Sequence, residues 1–361
     1  MENNFTSRLE GLRRALAGLE SDAFVSIAPP DNQYLTGFTG STSGVIVTTD
    51  AAEFLCDSRY TEQARQQVVA FRVSEVSGNL ITRMGERLAG MGVSSVTYDP
   101  NNWTVAQMTA LQKAFPGSLN SADSLVARLR MIKSPEEIDA LRAASELKEA
   151  ALAHVLEDLR EGVTEAEVAA RLEYEFKARG ASGASFDTIV LFGARTSMPH
   201  GSPGETRLKY GDTVLIDLGC RYRGYCSDLT RTYACGTIPG AWFEAVYETV
   251  LDAQRAAVQA VRPGARCCDV DAVARDMIQF RGYGAHFGHG LGHGVGIEIH
   301  EGPRLNAESE VVLEPGMVVT VEPGVYLPGQ GGVRIEDLVV VTEQGCEVLT
   351  RTPKALKVLN A

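Results

Sequence analysis

Two aspartates in the C-terminal half of the sequence lie in a stretch with apolar ends. The stretch VLIDLGCRYRGYCSDLTRTY, residues 214–233, has a polar, glycine-containing centre. This pattern predicts a β-hairpin, and a turn between Tyr222 and Arg223 would pair Asp217 directly with Asp228. Directly opposed side chains point to one face with Cβ atoms about 5 Å apart, so the two carboxylates would repel each other.

A second acid pair repeats this arrangement further along the chain. In VVTVEPGVYLPGQGGVRIEDLVVV, residues 318–341, a turn centred on Gly329 would pair Glu322 with Glu336. The residues flanking both pairs are aliphatic, which favours a packed sheet over a solvated strand face: Val214, Leu215, Ile216, Val319, Val321 and Ile335. Four buried carboxylates cannot all stay ionised without compensation. Two divalent cations would neutralise them, which predicts a two-metal hydrolytic site.

A nitrogen ligand for such a site must come from six histidines: His154, His200, His286, His289, His293 and His300. Four of them lie in AHFGHGLGHGVGIEIHEGP, residues 285–303. Glycine at every second position from 288 to 296 argues against a helix and predicts an extended strand with one bare face, open to close approach by another backbone. His289 and His293 would share the opposite face. A lone histidine there would usually be a packed core residue, but four near four carboxylates favour ligands and proton donors.

The elements that carry these residues divide the chain into two predicted domains. Residues 1–125 alternate short β-rich runs with helical stretches, which predicts an α/β domain. Residues 126–361 open with a strong helix start, in which Ser134 is the N-cap, Pro135 occupies the first turn and Glu137 closes a capping box. The acids and the cluster of four histidines all fall in this second domain.

The second domain is predicted to be internally duplicated. Segments 159–180 and 261–282 each run from Arg-x-Gly to a closing glycine, and Gly211 and Gly316 each precede an acid of the two pairs by six residues. A chance resemblance of two helix–strand units is the alternative. Matched glycine-to-acid spacings favour duplication, and hence an α+β fold with pseudo-twofold symmetry.

Composition excludes several classes of partner. The net charge of −12 would repel a phosphate backbone and an anionic membrane. No apolar run is long enough to span a membrane, and the charged N-terminal stretch does not resemble a signal peptide. The seven cysteines are odd in number and show no Cys-x-x-Cys spacing. We therefore expect a cytoplasmic protein that binds neither nucleic acid nor membrane.

In order along the chain, five residues resemble the metal ligands of the pita-bread metallopeptidases: Asp217, Asp228, His293, Glu322 and Glu336. The similarity covers roughly residues 130–355. Before it, YLTGFTGS (residues 34–41) and DSRYTEQA (residues 57–64) resemble the creatinase-like domain of the proline-directed branch, which includes prolidase and Xaa-Pro aminopeptidase. The resemblance implies a creatinase-like α/β domain followed by a pita-bread catalytic domain, and a homodimer.

The same resemblance implies roles for further residues. His200 and His300 match histidines that hydrogen-bond the substrate and stabilise its tetrahedral intermediate. Arg334 matches an arginine that orients the site, and His289 one that lines the substrate pocket. Glu322 is also the candidate for moving a proton from the attacking water to the leaving nitrogen.

The predicted activity is hydrolysis of the Xaa-Pro peptide bond. Arg304 resembles an arginine that binds the proline carboxylate in some prolidases, which favours Xaa-Pro dipeptides; a surface arginine on a loop is the alternative. Xaa-Pro aminopeptidase activity on longer peptides is the second hypothesis, and an inactive binding protein of the same fold is the third. The hard, oxygen-rich ligand set favours two Mn²⁺ ions, with Co²⁺, Fe²⁺ or Zn²⁺ as substitutes.

Overall fold

The structure is a computed structural model that describes residues 2–19, 21–123 and 125–360. The chain divides into two compact units between Arg130 and Met131, whereas the boundary predicted from the sequence is residue 125. Among the described helices, none is long and apolar enough to cross a membrane. All seven cysteines are free.

The N-terminal unit is built on one six-stranded sheet. Its helices are α1 (Glu2–Ala17), α2 (Pro29–Thr36), α3 (Thr61–Gln67), α4 (Leu80–Gly90) and α5 (Val105–Ala114), and α6 (Leu125–Met131) ends at the division. Its strands are β1 (Ala23–Ser26), β2 (Gly44–Thr48), β3 (Ala52–Cys56), β4 (Arg72–Glu75), β5 (Ser95–Tyr98) and β6 (Ser118–Ser121). The strand order is β4-β3-β2-β1-β5-β6, with parallel and antiparallel pairs. The alternation of strands and helices matches the predicted α/β pattern.

The C-terminal unit combines four long helices with several sheets that are antiparallel except for the parallel pair β12–β20. Its helices are α7 (Pro135–Glu157), α8 (Glu165–Ala178), α9 (Ala241–Ala260) and α10 (Cys267–Phe280). Its strands are β7 (Gly183–Ala184), β8 (Ile189–Phe192), β9 (Thr213–Leu218), β10 (Cys220–Tyr222), β11 (Tyr225–Cys226), β12 (Leu229–Cys235), β13 (Gly292–Gly294), β14 (Glu301–Leu305), β15 (Val318–Val321), β16 (Gly324–Leu327), β17 (Gly331–Arg334), β18 (Asp337–Val341), β19 (Cys346–Val348) and β20 (Val358–Leu359). Short 3₁₀ turns cover Pro100–Asn102 in the N-terminal unit, and Gly193–Ser197 and Gly284–His286 here.

Helix α7 begins where the sequence predicts it. The Ser134 side chain accepts a hydrogen bond from the Glu137 backbone, the Glu137 side chain accepts one from the Ser134 backbone, and Pro135 occupies the first turn. This capping box satisfies two backbone donors that would otherwise be unpaired at the start of the helix. It fixes the start of the helix that packs behind the first acid pair.

The two halves of the C-terminal unit contain equivalent hydrogen bonds, as the predicted duplication requires. Gly162 before α8 donates to the carbonyl of Leu208, and Gly264 before α10 donates to that of Leu313, both at 2.9 Å. Both glycines have left-handed backbone, with φ of 86° and 82°. The two halves therefore turn into their second helix in the same way, and each delivers one hairpin with one acid pair.

The predicted register of the first hairpin is wrong by two residues. Asp217 in β9 pairs with Thr230 in β12, and not with Asp228. The turn residues are Arg223 and Gly224, with φ of 50° and 83°. Left-handed backbone at both central residues is the signature of a type I′ turn, which centres the hairpin one residue later than predicted. Asp228 consequently lies just before the paired part of β12.

The second hairpin follows its predicted register. Val321 pairs with Asp337, and Gly324 pairs with Arg334, so the turn is centred on Gly329. Glu322 and Glu336 lie opposite each other in the break between these two ladders. The aliphatic residues predicted to surround both acid pairs are fully buried.

The predicted long strand through the glycine-rich segment is wrong. Only Gly292–Gly294 forms a strand, because the register shifts between His293 and Gly294 and a 3₁₀ turn precedes the strand. The close backbone approach inferred from the glycines is present. A Cβ atom on Gly292 would lie 2.0 Å from the carbonyl oxygen of Thr320. Any larger residue would therefore push β13 away from β15.

Candidate active site

A cavity of about 730 Å³ lies in the C-terminal unit. Nine of the predicted site residues line it: His200, Asp217, Asp228, His289, His293, His300, Arg304, Glu322 and Arg334. Glu336 does not line the cavity, but its carboxylate lies next to those of Asp217 and Asp228. His154 and His286 are not among the lining residues. Residues separated by more than a hundred positions along the chain therefore meet at one site.

Three of the acids form a tight cluster. Single carboxylate oxygens of Asp217, Asp228 and Glu336 all lie within 4.8 Å of one another. Oδ1 of Asp217 and Oε1 of Glu336 are buried and accept no hydrogen bond from any residue that the structure describes. An unpaired buried carboxylate oxygen is costly unless a cation or a donor binds it. The oxygens are therefore suited to ligate metal.

The protonation equilibria of these acids reflect the same crowding. Burial raises the pKa of Asp228 and of Glu336 well above the usual range, and repulsion by neighbouring carboxylates adds to the shift. Burial also raises the pKa of Asp217, although Arg334 opposes it. Burial and mutual repulsion thus both favour the protonated forms, and nearby positive charge would oppose them. Divalent cations would supply that charge.

His293 lies between the two acid pairs. Its Nε2 atom is 3.5 Å from Oδ2 of Asp228 and 3.3 Å from Oε1 of Glu322. Its Nδ1 atom is 3.0 Å from the carbonyl oxygen of Gly294, which suits an Nδ1–H donor and leaves Nε2 facing the carboxylates. Burial raises the pKa of Glu322, but the hydrogen bond and charge of His293 outweigh burial and lower that pKa to about 2.

Two threonines that the sequence analysis did not single out orient the carboxylates of Glu336 and Glu322. Thr230 donates to Oε2 of Glu336 at 2.8 Å, and Thr320 donates to Oε1 of Glu322 at 3.1 Å. Thr320 also accepts from the backbone N–H of His293 at 3.0 Å. Each threonine thus fixes one oxygen of a glutamate and leaves the other oxygen for a further partner.

Arg334 links the first acid pair to the cavity wall. Its guanidinium donates to Oδ2 of Asp217 at 2.5 Å, to Thr230 at 3.0 Å and to the Tyr326 hydroxyl at 2.8 Å. The Tyr326 oxygen is also 2.9 Å from Nε2 of His289. Tyr326 was not predicted, because its role depends on tertiary contacts and no spacing in the sequence marks it.

The remaining predicted residues lie around the acids. The ring of His300 packs edge-on against that of His293, with centroids 4.4 Å apart. Burial, followed by the charges of His293 and Arg304, lowers the pKa of His300 to about 4. Burial also lowers the pKa of His289, which favours its neutral form. His200 is exposed at the cavity wall.

Arg304 lies on β14 directly opposite His293 on β13. Opposed residues of an antiparallel pair point to the same face of the sheet, so the arginine extends on the side of the acids. Its side chain is exposed and lines the cavity. A guanidinium in this position can bind an anionic group of a molecule in the cavity.

The donor set as a whole fits divalent metal. It offers four carboxylates and one imidazole, two of the carboxylates retain unpaired buried oxygens, and the imidazole nitrogen that faces them is not bound to the backbone. Hard oxygen donors with a single nitrogen are typical of sites for Mn²⁺ and related divalent ions.

The sequence places this site in a known class. Residues 139–343 match metallopeptidase family M24, and residues 8–132 match the Creatinase/Prolidase N-terminal domain. The chain therefore belongs to metallopeptidase family M24 and is a hydrolase of that class. The predicted family and the predicted fold, a creatinase-like domain followed by a duplicated pita-bread domain, are confirmed.

Individual relatives are similar over nearly the whole chain. The structure of an Xaa-Pro dipeptidase from Bacillus anthracis has a TM-score of 0.96 and 39% identity, covering 99% of this chain and 100% of that one. An X-Pro aminopeptidase from Thermotoga maritima has a TM-score of 0.89 and 36% identity, covering 96% and 100%. The Xaa-Pro dipeptidase of Pyrococcus furiosus is 39% identical over 92% of this chain and 94% of its own length.

Proposed function

We propose that the protein is a two-metal exopeptidase that hydrolyses the Xaa-Pro bond of dipeptides. The observation that carries the proposal is the convergence of Asp217, Asp228, His293, Glu322 and Glu336, with buried unpaired oxygens on two of the acids. The names of similar proteins support the choice of substrate. Similar proteins are named both dipeptidase and aminopeptidase, so an Xaa-Pro aminopeptidase is the second candidate.

The five convergent residues would hold two divalent ions, and their hard donors favour Mn²⁺. When bound, such ions make water a nucleophile near neutral pH and polarise the scissile carbonyl. Glu322 lines the cavity. It would carry a proton from the attacking water to the proline nitrogen.

The histidines of the cavity would act on the substrate carbonyl. His200 and His300 line the same cavity as Glu322 and would donate hydrogen bonds to the oxygen as it gains negative charge. His289, held by the Tyr326 hydroxyl, would pack against the substrate. Arg334 would keep Asp217 in place through its 2.5 Å contact.

Arg304 would select dipeptides. The proline of a dipeptide carries a free carboxylate, and a guanidinium fork can bind it through two hydrogen bonds. In a longer peptide this carboxylate is replaced by an amide, and the charge-assisted bonds are lost. The Xaa-Pro bond also lacks an N–H, so the site must recognise the ring and the carboxylate instead.

We further propose a homodimer, on the family resemblance, and a cytoplasmic location. The seven free cysteines, several of them buried, suit a reducing compartment.

Hydrolysis of Leu-Pro tests the proposed reaction. Metal-free protein supplied with Mn²⁺ should release leucine and proline, a chelator should abolish release, and Leu-Ala should be a poor substrate. Binding of Mn²⁺ without hydrolysis of any Xaa-Pro peptide would favour an inactive binding protein.

The variant Arg304→Ala tests the dipeptide assignment. Loss of a charge-assisted bond of about 1.5–3 kcal/mol should lower kcat/KM for Leu-Pro by about 10- to 100-fold. The value for Leu-Pro-Gly should change little, and Arg304→Lys should recover only part of the loss. Faster turnover of Leu-Pro-Gly than of Leu-Pro by the unmodified protein would support the aminopeptidase instead.

A further inference from the structure

The predicted metal ligands differ in how their backbones are held. Asp217 lies inside β9 and is paired on both sides, with Ile189 on β8 and with Thr230 on β12. Asp228 precedes Leu229, the first paired residue of β12, and has no place in that ladder. Its position must therefore be fixed by other contacts.

Lys148 of helix α7 supplies such a contact. Its side chain is fully buried, and its Nζ atom donates to the backbone carbonyl of Asp228 at 2.5 Å. A second acceptor is Oγ of Ser145 at 3.5 Å, one turn earlier on the helix. Within the described part of the chain, no carboxylate oxygen lies within 4.0 Å of this ammonium. A buried cation with only neutral acceptors is costly, which argues that the contact serves a purpose.

The backbone of the second acid pair is also held by a buried cation, but this cation has an acidic partner. Arg231, also buried, donates to the backbone carbonyl of Glu336. Its charge is balanced by Asp337, whose Oδ1 atom is 2.9 Å away. Among the described residues Lys148 has no such partner, because its two acceptors, the Asp228 carbonyl and the Ser145 hydroxyl, are both neutral.

We propose that Lys148 is a positioning residue that fixes the main chain of Asp228 and thereby holds its carboxylate at the metal pair. The inference rests on the proposed function, since it concerns the geometry of a proposed ligand. Groups that orient metal ligands in this way typically contribute 10- to 100-fold in metal affinity.

The direction of the effect separates positioning from charge. If the ammonium acted only through its charge, removing it would tighten the binding of a divalent cation. If it positions Asp228, removing it should weaken binding.

Isothermal titration of metal-free protein with Mn²⁺ measures this difference. Lys148→Met should raise the Mn²⁺ Kd by at least about tenfold. At saturating Mn²⁺, kcat for Leu-Pro should fall while KM stays unchanged, because Lys148 is not among the residues that line the cavity. Lys133→Met is the matched control: Lys133 is a buried lysine of the same unit, and it pairs with Glu301 at 3.2 Å. Its Kd should match that of the unmodified protein.

Lys148→Gln keeps an N–H donor without the charge, and should bind Mn²⁺ more tightly than Lys148→Met but more weakly than the unmodified protein. If Lys148→Met does not fold, Lys148→Gln decides alone: a raised Kd supports positioning, and an unchanged or lowered Kd overturns it. Unchanged or tighter binding by Lys148→Met, or an equal loss in Lys133→Met, also overturns it. An unmodified protein that binds no Mn²⁺ would instead overturn the proposed function.

Discussion

Each unit of the protein buries acids with a raised pKa, but Asp31 in the N-terminal unit and the acids of the candidate site are compensated differently. In the N-terminal unit, Asp31 is 3% exposed, and both of its oxygens have partners. Arg130 donates to Oδ1 at 3.3 Å, and Ser26 donates to Oδ2 at 3.1 Å. In the C-terminal unit, Asp217 and Glu336 each retain a buried oxygen that accepts nothing from the described chain.

The comparison shows which observation points to a function. Burial raises the pKa of Asp31 to about 6, so a raised pKa occurs in both units. Asp217 and Glu336 combine a raised pKa with a buried unpaired oxygen at the candidate site, whereas both oxygens of Asp31 have partners. An acid whose partners lie within the protein is structural, whereas one with open coordination positions is suited to bind something else.

The largest expected effect is on activity. Glu336→Gln should lower kcat/KM for Leu-Pro by more than about 100-fold, since losing a ligand costs more than losing a group that merely orients one. The protein should still fold, because the change removes a buried charge. Asp31→Asn is the matched control in the other unit and should retain activity. Equal losses in the two variants would remove the distinction between the two kinds of buried acid.

The second-largest expected effect comes from a substitution at Gly292, where β13 lies in close contact with β15. Gly292→Ala would place a Cβ atom 2.0 Å from the backbone oxygen of Thr320, so the two strands must separate. We expect destabilisation beyond the about 1–3 kcal/mol of ordinary overpacking, together with loss of Mn²⁺ binding. Gly288→Ala, where no described atom lies within 4 Å, should be neutral in thermal unfolding. A stable, metal-binding Gly292→Ala protein would contradict the expectation.

Metal should stabilise the C-terminal unit selectively. At a free Mn²⁺ concentration 100 times the Kd, binding to the folded state adds about 2.7 kcal/mol. Hydrogen exchange should therefore slow in β9, β12, β15 and β18 of the intact protein, and a chelator should reverse the change. Protection that extends equally through β1 and β2 would show that the effect is not tied to the acid cluster.

The smallest expected effect is a pH dependence of the unfolding free energy that arises from Asp31. Its pKa is about 6 in the folded protein and 3.8 without shift, so the folded state binds the proton more tightly. The stability that Asp31 contributes is therefore present at low pH and is lost as the pH rises towards 6. The unfolding free energy of the unmodified protein minus that of Asp31→Asn should therefore fall by about 2 kcal/mol from pH 4 to 7. Urea unfolding at several pH values measures it, and a constant difference would contradict the assignment.

Much of the site could be predicted from the sequence, because acids in aliphatic strands and alternating glycines are strong local patterns. The second hairpin was predicted in register, since Gly329 marks its turn. The predicted pairing of the first hairpin differs from the observed pairing by two residues. The prediction places the centre of the turn between Tyr222 and Arg223, whereas the central residues of the turn are Arg223 and Gly224. A glycine in second position was the available signal for that turn.

The groups that support the proposed ligands could not be predicted in the same way. Thr230 bonds to Glu336, and Lys148 bonds to the carbonyl of Asp228. Both partners are distant in the sequence, and nothing in the local sequence of Thr230 or Lys148 distinguishes these residues. The short length of β13 was also missed, because the shift after His293 depends on the strands that flank it. Local patterns indicate which residues carry chemistry, whereas tertiary packing decides what holds them.

The cross-link between the two repeats has a consequence for how the protein can fail. Thr230 in the first repeat donates to the Glu336 carboxylate in the second, and the Glu336 N–H donates back to the Thr230 carbonyl at 3.2 Å. Neither repeat contains all of the proposed ligands. Unfolding of one repeat would therefore disrupt the whole site, and the other repeat would retain no partial activity.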